Sequence, residues 1–145
     1  MTRVLVVDDD RALRLALKKA LGRKGAFVCE AESGERALEP LRTGQSWEGA
    51  VDACVLDLRM PGMDGIEVLR RTLGRKVPVV VLTGHGTIPE AVEAMRLGAS
   101  NFVQKPVDAD ELWPILLQTL GDKEPPGSAP MLGDSPALKS FLEQL

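Results

Sequence analysis

A short apolar run, Val51, Ala53, Cys54, Val55 and Leu56, ends abruptly in one carboxylate, Asp57, and then breaks at Met60-Pro61-Gly62. A nearly all-apolar, β-branched segment of this length reads as a strand buried on both faces of a sheet. Pro at the second and Gly at the third turn position are what a type II turn asks for. The strand therefore delivers Asp57 to its carboxyl end, where open α/β sheets place their chemistry. At the start of the chain, Val4-Leu5-Val6-Val7 leads in the same way into Asp8-Asp9-Asp10. Two buried strands that both end in acid crowd several carboxylates at one sheet edge, which is costly unless a cation is meant to sit there.

The other segments alternate around these two. Thr2 to Asp8 predicts the first strand, and Asp10 caps a helix over residues 11–24, with apolar positions 13, 16, 17, 20 and 21 on one face. Arg14, Lys18, Lys19 and Arg23 are expected on the opposite, solvated face, and Gly25 stops the helix. Ala26 to Ala31 predicts a second strand, followed from Ser33 by a short helix that Pro40 makes irregular. Residues 43–49 read as a polar loop carrying Trp47. After the central strand, Asp64 caps a helix through Ile66, Val68, Leu69 and Leu73. Val77 to Leu82 predicts the fourth strand, ending at Thr83, and Gly84-His85-Gly86 a loop before a helix that carries Pro89 in its first turn and closes at Gly98. Asn101 to Gln104 is a fifth strand, followed by Lys105-Pro106 and a last helix from Ala109 to Leu120, capped by Asp108, where Pro114 is expected to cause a kink or a late start. Five strands alternating with five helices predict an α/β fold with a doubly wound parallel sheet.

With 145 residues the chain has room for one domain with a proper core. No apolar run approaches the ~18 residues of a membrane span, and Met1-Thr2-Arg3 passes at once into a strand rather than a signal peptide. A cytoplasmic protein is expected. The net charge of −3 argues against direct nucleic-acid contact by this segment, because phosphate-backbone affinity needs clustered Lys and Arg. Composition shifts at Gly121, so residues 1–121 are expected to be one domain and the proline-rich stretch 122–130 a linker. Residues 131–145 then begin something new, with Ser135 and Pro136 opening an amphipathic helix.

Asp8, Asp9, Asp57, Thr83 and Lys105 all fall at the carboxyl ends of predicted parallel strands, which share one edge. Carboxylates for a hard divalent cation, one hydroxyl and one ammonium make sense together as a phosphoryl-transfer site. A carboxylate not taken up by the cation can be the nucleophile, and Thr83 and Lys105 then donate to the phosphoryl oxygens. Taken alone, Asp8-Asp9-Asp10 could be a solvated charge run with a helix cap. His85, beside two glycines, reads most simply as a surface residue, and Trp113 and Leu117 give the last helix more apolar surface than one core needs.

The segments VLVVDDD, VLDLRMPGMDG, VVVLTGHG and NFVQKP together resemble the receiver domain of bacterial two-component response regulators, over about residues 3–120. The resemblance implies a flavodoxin-like (βα)5 sheet of strand order 2-1-3-4-5. In that order Cys29 and Cys54 flank the first strand, roughly 9 to 10 Å apart at twice the strand spacing, too far for a disulfide. It implies further that Asp57 takes a phosphoryl group from a sensor histidine kinase, with Mg²⁺ held by Asp9, Asp57 and the main-chain carbonyl of Arg59 and by Asp8 through a water. Thr83 and Lys105 would contact the phosphoryl group, the Lys105-Pro106 peptide would be cis, and Phe102 would stand where the family keeps its switch aromatic. A Phe there offers no phenolic hydrogen bond, so packing has to drive the switch. Such a chain transfers phosphoryl only to and from its own Asp57, and is not an enzyme for a separate substrate.

GHGTIPEAVEAMRLGA is similar to the loop and fourth helix of dicarboxylate-transport and nitrogen-fixation regulators, and MLGDSPALKSFLEQL resembles the opening of the AAA+ ATPase domain of NtrC-class activators. Those activators work with polymerase carrying the nitrogen-type alternative sigma factor. The implied partners are the kinase, a second copy met through the fourth helix, fifth strand and fifth helix, and a downstream AAA+ domain, with no membrane and no direct nucleic-acid contact. Pro125-Pro126 would stop the last helix from continuing as a coiled coil. A receiver joined to a helix-turn-helix output is the alternative within signalling. From another class, a Mg²⁺-dependent phosphohydrolase is possible, although such enzymes carry their nucleophile on the first strand in a DxD arrangement. A flavodoxin-like FMN binder lacks its phosphate loop here, because acids occupy that place.

Overall fold

A computed structural model describes residues 2–84 and 88–121, so the expectations for His85, for the linker 122–130 and for residues 131–145 lie outside the described residues. The elements run β1 (Arg3–Val7), α1 (Arg11–Arg23), β2 (Phe27–Ala31), α2 (Gly34–Thr43), β3 (Gln45–Ser46), β4 (Gly49–Ala50), β5 (Ala53–Asp57), α3 (Gly65–Arg71), β6 (Val79–Thr83), α4 (Ile88–Arg96), β7 (Asn101–Gln104) and α5 (Ala109–Gly121). Five strands form one parallel sheet in the order β2-β1-β5-β6-β7. This is the flavodoxin-like 2-1-3-4-5 order, with two more numbers taken by a separate small ribbon.

That ribbon corrects the expected polar loop. Residues 45–50 close as an antiparallel hairpin, Gln45 opposite Ala50 and Ser46 opposite Gly49. Side-chain hydroxyls supply what so short a ladder lacks: Ser46 Oγ donates to the Gly49 carbonyl at 2.9 Å and Thr43 Oγ1 accepts from the Gln45 N–H at 3.0 Å. Trp47 lies under the Arg36 guanidinium, 4.4 Å from ring centroid to carbon.

The central strands are apolar throughout because alternate residues feed two cores. Leu5, Val7, Cys54, Leu56, Val79 and Val81 pack with Leu41, Val68, Leu69 and Ala94 of α2, α3 and α4. Val4, Val6, Ala53, Val55, Val80 and Leu82 face the other way, onto Leu17 and Leu21 of α1 and Leu112 and Leu116 of α5. Cys29 and Cys54 both pair with Leu5, one on each side, and both are buried and free.

Side chains cap the helices as their sequence suggests. Asp10 accepts from the N–H groups of Ala12 and Leu13, Asp64 from that of Glu67, and Asp108 from that of Glu111. Gly62 takes a φ of 75°, as the third position of a type II turn requires. Helix α3 ends at Arg71, so Leu73 falls beyond it and is exposed. Helix α5 starts at Ala109 and runs through Pro114, so the proline does not delay it. One expectation for α1 fails: Arg14 is not on the solvated face but buried, 8% exposed, against β1 and β2.

Candidate functional site

Parallel register brings the strand ends together. Val7 pairs with Leu56, Asp57 with Leu82, and Thr83 with Gln104, so Asp8, Asp57, Thr83 and Lys105 emerge at one edge. Asp8 is held at every atom but one. Its N–H donates to the Ala31 carbonyl at 3.1 Å, its own carbonyl accepts from Arg14 Nη1 at 2.6 Å, and its Oδ1 accepts from the Asp10 N–H at 2.9 Å. The remaining oxygen, Oδ2, is buried without a hydrogen bond, although Lys105 Nζ lies 3.4 Å away as a counter-charge.

Asp57 is 3% exposed, and its Oδ1 accepts from the Arg59 N–H at 3.2 Å and lies 3.3 Å from Lys105 Nζ. Burial pushes its pKa up to about 6, against the Arg59 N–H and the Lys105 charge, with the Asp8 charge adding to the rise. Lys105 feels burial in the opposite direction, but the Asp57 and Asp8 carboxylates outweigh it and hold the ammonium above its usual value. Asp9 is exposed, and one oxygen each from Asp8, Asp9 and Asp57 lie within 4.8 Å of one another.

Thr83 is buried at the end of β6, and its carbonyl accepts from the Lys105 N–H at 2.8 Å, which ties the lysine loop to that strand end. The Lys105–Pro106 peptide is cis. Phe102 lies on β7, 39% exposed, opposite Val81 and two residue pairs back from the edge. The Arg59 side chain turns to Glu90 of α4, with Nη2 to Oε2 at 3.2 Å. Two clefts adjoin the site: one of about 380 Å³ lined by Asp10, Leu13, Gly84, Lys105, Pro106 and Val107, and one of about 410 Å³ lined by Leu58 to Pro61, Asp64 and Glu90.

Three carboxylates set against one ammonium leave the site short of positive charge. The donors are all oxygen, with no Cys or His among them, which suits a hard cation such as Mg²⁺ rather than a soft one. The buried, unbonded Asp8 Oδ2 is an acceptor that such a cation, directly or through water, would satisfy.

Residues 4–116 match the family model described as the response regulator receiver domain. The chain belongs to this family. This receiver is 43% identical over 115 residues to the C4-dicarboxylate transport transcriptional regulatory protein DctD of Pseudomonas aeruginosa, covering 77% of this chain and 23% of DctD. It is 38% identical over 125 residues to the transcriptional regulatory protein FixJ of Bradyrhizobium diazoefficiens, covering 84% of this chain and 58% of FixJ. The crystal structure of a response regulator receiver domain protein from Clostridium thermocellum aligns with a TM-score of 0.74 at 27% identity, over 85% of this chain and 97% of that one. The receiver thus spans little more than half of FixJ and under a quarter of DctD. Among the described residues no helix is long and apolar enough to cross a membrane.

Arg14 is the site residue that sequence reasoning missed. The signal was Glu30, an acid within the otherwise apolar strand Phe27–Ala31, which needs a cation from a covering element.

Proposed function

We propose that this receiver takes a phosphoryl group onto Asp57 from the phosphohistidine of a sensor histidine kinase and carries it as a two-state signal. The observation that bears this reading is the juxtaposition of Asp57 Oδ1 with Lys105 Nζ at 3.3 Å inside an acidic triad. Asp57 attacks phosphorus through a carboxylate oxygen, and the phosphorus–nitrogen bond to the donor imidazole breaks. Lys105, now 3.3 Å from Asp57, and the Thr83 hydroxyl donate to the phosphoryl oxygens as charge spreads onto them. Mg²⁺ would be held by Asp9, Asp57, the main-chain carbonyl of Arg59 and, through water, Asp8, and when bound it would supply the positive charge that the triad lacks. Turnover is confined to the chain's own aspartate, with no separate substrate.

Thr83 shifting toward the phosphoryl group would open room for Phe102 to turn inward, biasing one of two surfaces. Val92 and Met95 on α4, Phe102 on β7 and Leu117 on α5 are exposed apolar groups suited to pairing with a second copy. The output in this reading is regulation of transcription through a downstream AAA+ domain of the NtrC class, a reading supported by the identity to DctD and by the resemblance of residues 131–145. A Walker loop in the protein beyond Leu145 is its check.

The decisive experiment is intact mass after incubation with Mg²⁺ and acetyl phosphate. Wild type should gain one phosphoryl group and Asp57→Ala none. Equal labelling of the variant would overturn the assignment.

A further inference from the structure

Asp9 is the least supported member of the triad. Its carboxylate is exposed and makes no hydrogen bond or ion pair with the described residues. Its direction is therefore set by the main chain that carries it, and chiefly by the peptide plane joining Asp8 to Asp9. The carbonyl of that plane is where the buried Arg14 donates, at 2.6 Å. Arg14 is itself held: its Nε donates to Glu30 Oε1 at 3.0 Å, and Lys18 Nζ lies 3.5 Å from the other oxygen of the same carboxylate.

We propose that Arg14 is a positioning residue for the acidic site: paired with Glu30 of β2, it fixes the Asp8–Asp9 peptide and so sets how tightly the triad holds a divalent cation. The inference rests on the reading of the triad as a Mg²⁺ site. Two physical reasons favour Arg here. A planar fork can serve a carbonyl and a carboxylate at once in fixed geometry, which a point-charge ammonium does not do. A buried guanidinium also needs both acceptors to offset its lost hydration, so the same contacts that keep it inside keep the peptide from rotating. The arrangement is separate from Lys105, which follows β7 at the same edge and meets Asp8 and Asp57 through their side-chain oxygens only.

The test is Mg²⁺ titration of the unphosphorylated, ¹⁵N-labelled chain, followed by the amide shifts of Asp9 and Asp57. Loss of an outer-shell partner costs roughly 10- to 100-fold in metal affinity, so Arg14→Met should weaken Mg²⁺ binding about tenfold. Glu30→Gln, which leaves Arg14 in place but loosens it, should weaken binding by less. Leu116→Val, in the core that α1 and α5 share, serves as the stability control and should leave the dissociation constant at its wild-type value. An unchanged constant in both Arg14→Met and Glu30→Gln would overturn the proposal, as would a weakening matched by Leu116→Val. A flat titration of wild type would overturn the metal site itself, and the positioning role with it.

Discussion

The two edges of the sheet handle buried charge in opposite ways. At the amino edge, Arg75 lies between the carboxyl ends of α3 and α4 and spends its donors on neutral acceptors: Nη2 on the carbonyls of Leu69 at 2.8 Å and Leu97 at 3.0 Å, and Nε on Thr72 Oγ1 at 3.2 Å. Burial pulls its pKa down, yet its place is fully provided for, since cations belong at helix carboxyl ends. Gly98 makes way for it, with a φ of 100° and no Cβ, which would stand 2.9 Å from Nη1. At the carboxyl edge, Asp8 and Asp57 share one lysine while Asp9 has no ion pair, Asp8 Oδ2 has no hydrogen bond, and burial raises the Asp57 pKa to about 6. One edge is finished by the chain itself. The other is left short of positive charge, which is what the proposed phosphoryl-transfer site requires.

The largest effect should come from crowding the unfinished edge. A Cβ on Gly65 would lie 2.6 Å from the Asp57 carbonyl and 2.7 Å from the Leu58 Cα, so the backbone carrying the proposed acceptor must shift. Gly65→Ala should slow phosphorylation by acetyl phosphate on the order of 100-fold, since displacements of about 1 Å cost that much. A rate near wild type would show that the loop tolerates displacement. At the finished edge, Arg75→Met strands the Leu69 and Leu97 carbonyls and should cost about 2 to 3 kcal/mol in urea unfolding. Its Mg²⁺ affinity should stay at the wild-type value, and a parallel loss of both would deny that the edges are independent.

The smallest effect concerns pH. Asp57 binds its proton more tightly folded, at about 6, than unfolded, at 3.8, so folding takes up a proton between these values and stability falls as pH rises through them. Asp57→Asn keeps an acceptor for the Arg59 N–H and deletes the charge. Without divalent cation, its stability advantage over wild type should grow from pH 4 to pH 7 by about 2 kcal/mol and then level off. A difference that is constant with pH would place the Asp57 carboxyl in an ordinary environment.

Much of this was legible in the residues. The alternation of apolar runs with amphipathic stretches announced the parallel sheet, and strand-end positions put Asp8, Asp9, Asp57, Thr83 and Lys105 at one edge. The caps at Asp10, Asp64 and Asp108 were readable because they depend on bonds two or three residues away. Arg14 and the ribbon at residues 45–50 were not. A helical arginine one turn from Arg11 and Lys18 looks solvated until β2 presents Glu30 beneath it, 16 residues away in sequence. The ribbon has two-residue strands, too short to show a period.

By itself the sequence determined what is local or periodic: which segments are strands, which faces are apolar, where helices start and which residues stand at strand ends. Only the tertiary structure decided what depends on distant segments meeting. Lys105 comes within 3.4 Å of two aspartates because β7 and β1 end at the same edge of one sheet, Arg14 meets the Asp8 carbonyl because α1 packs across β1, and Asp57 resists ionisation because strands and helices close over it. Each of these is set by burial and long-range charge, which act across space and leave no spacing rule along the chain.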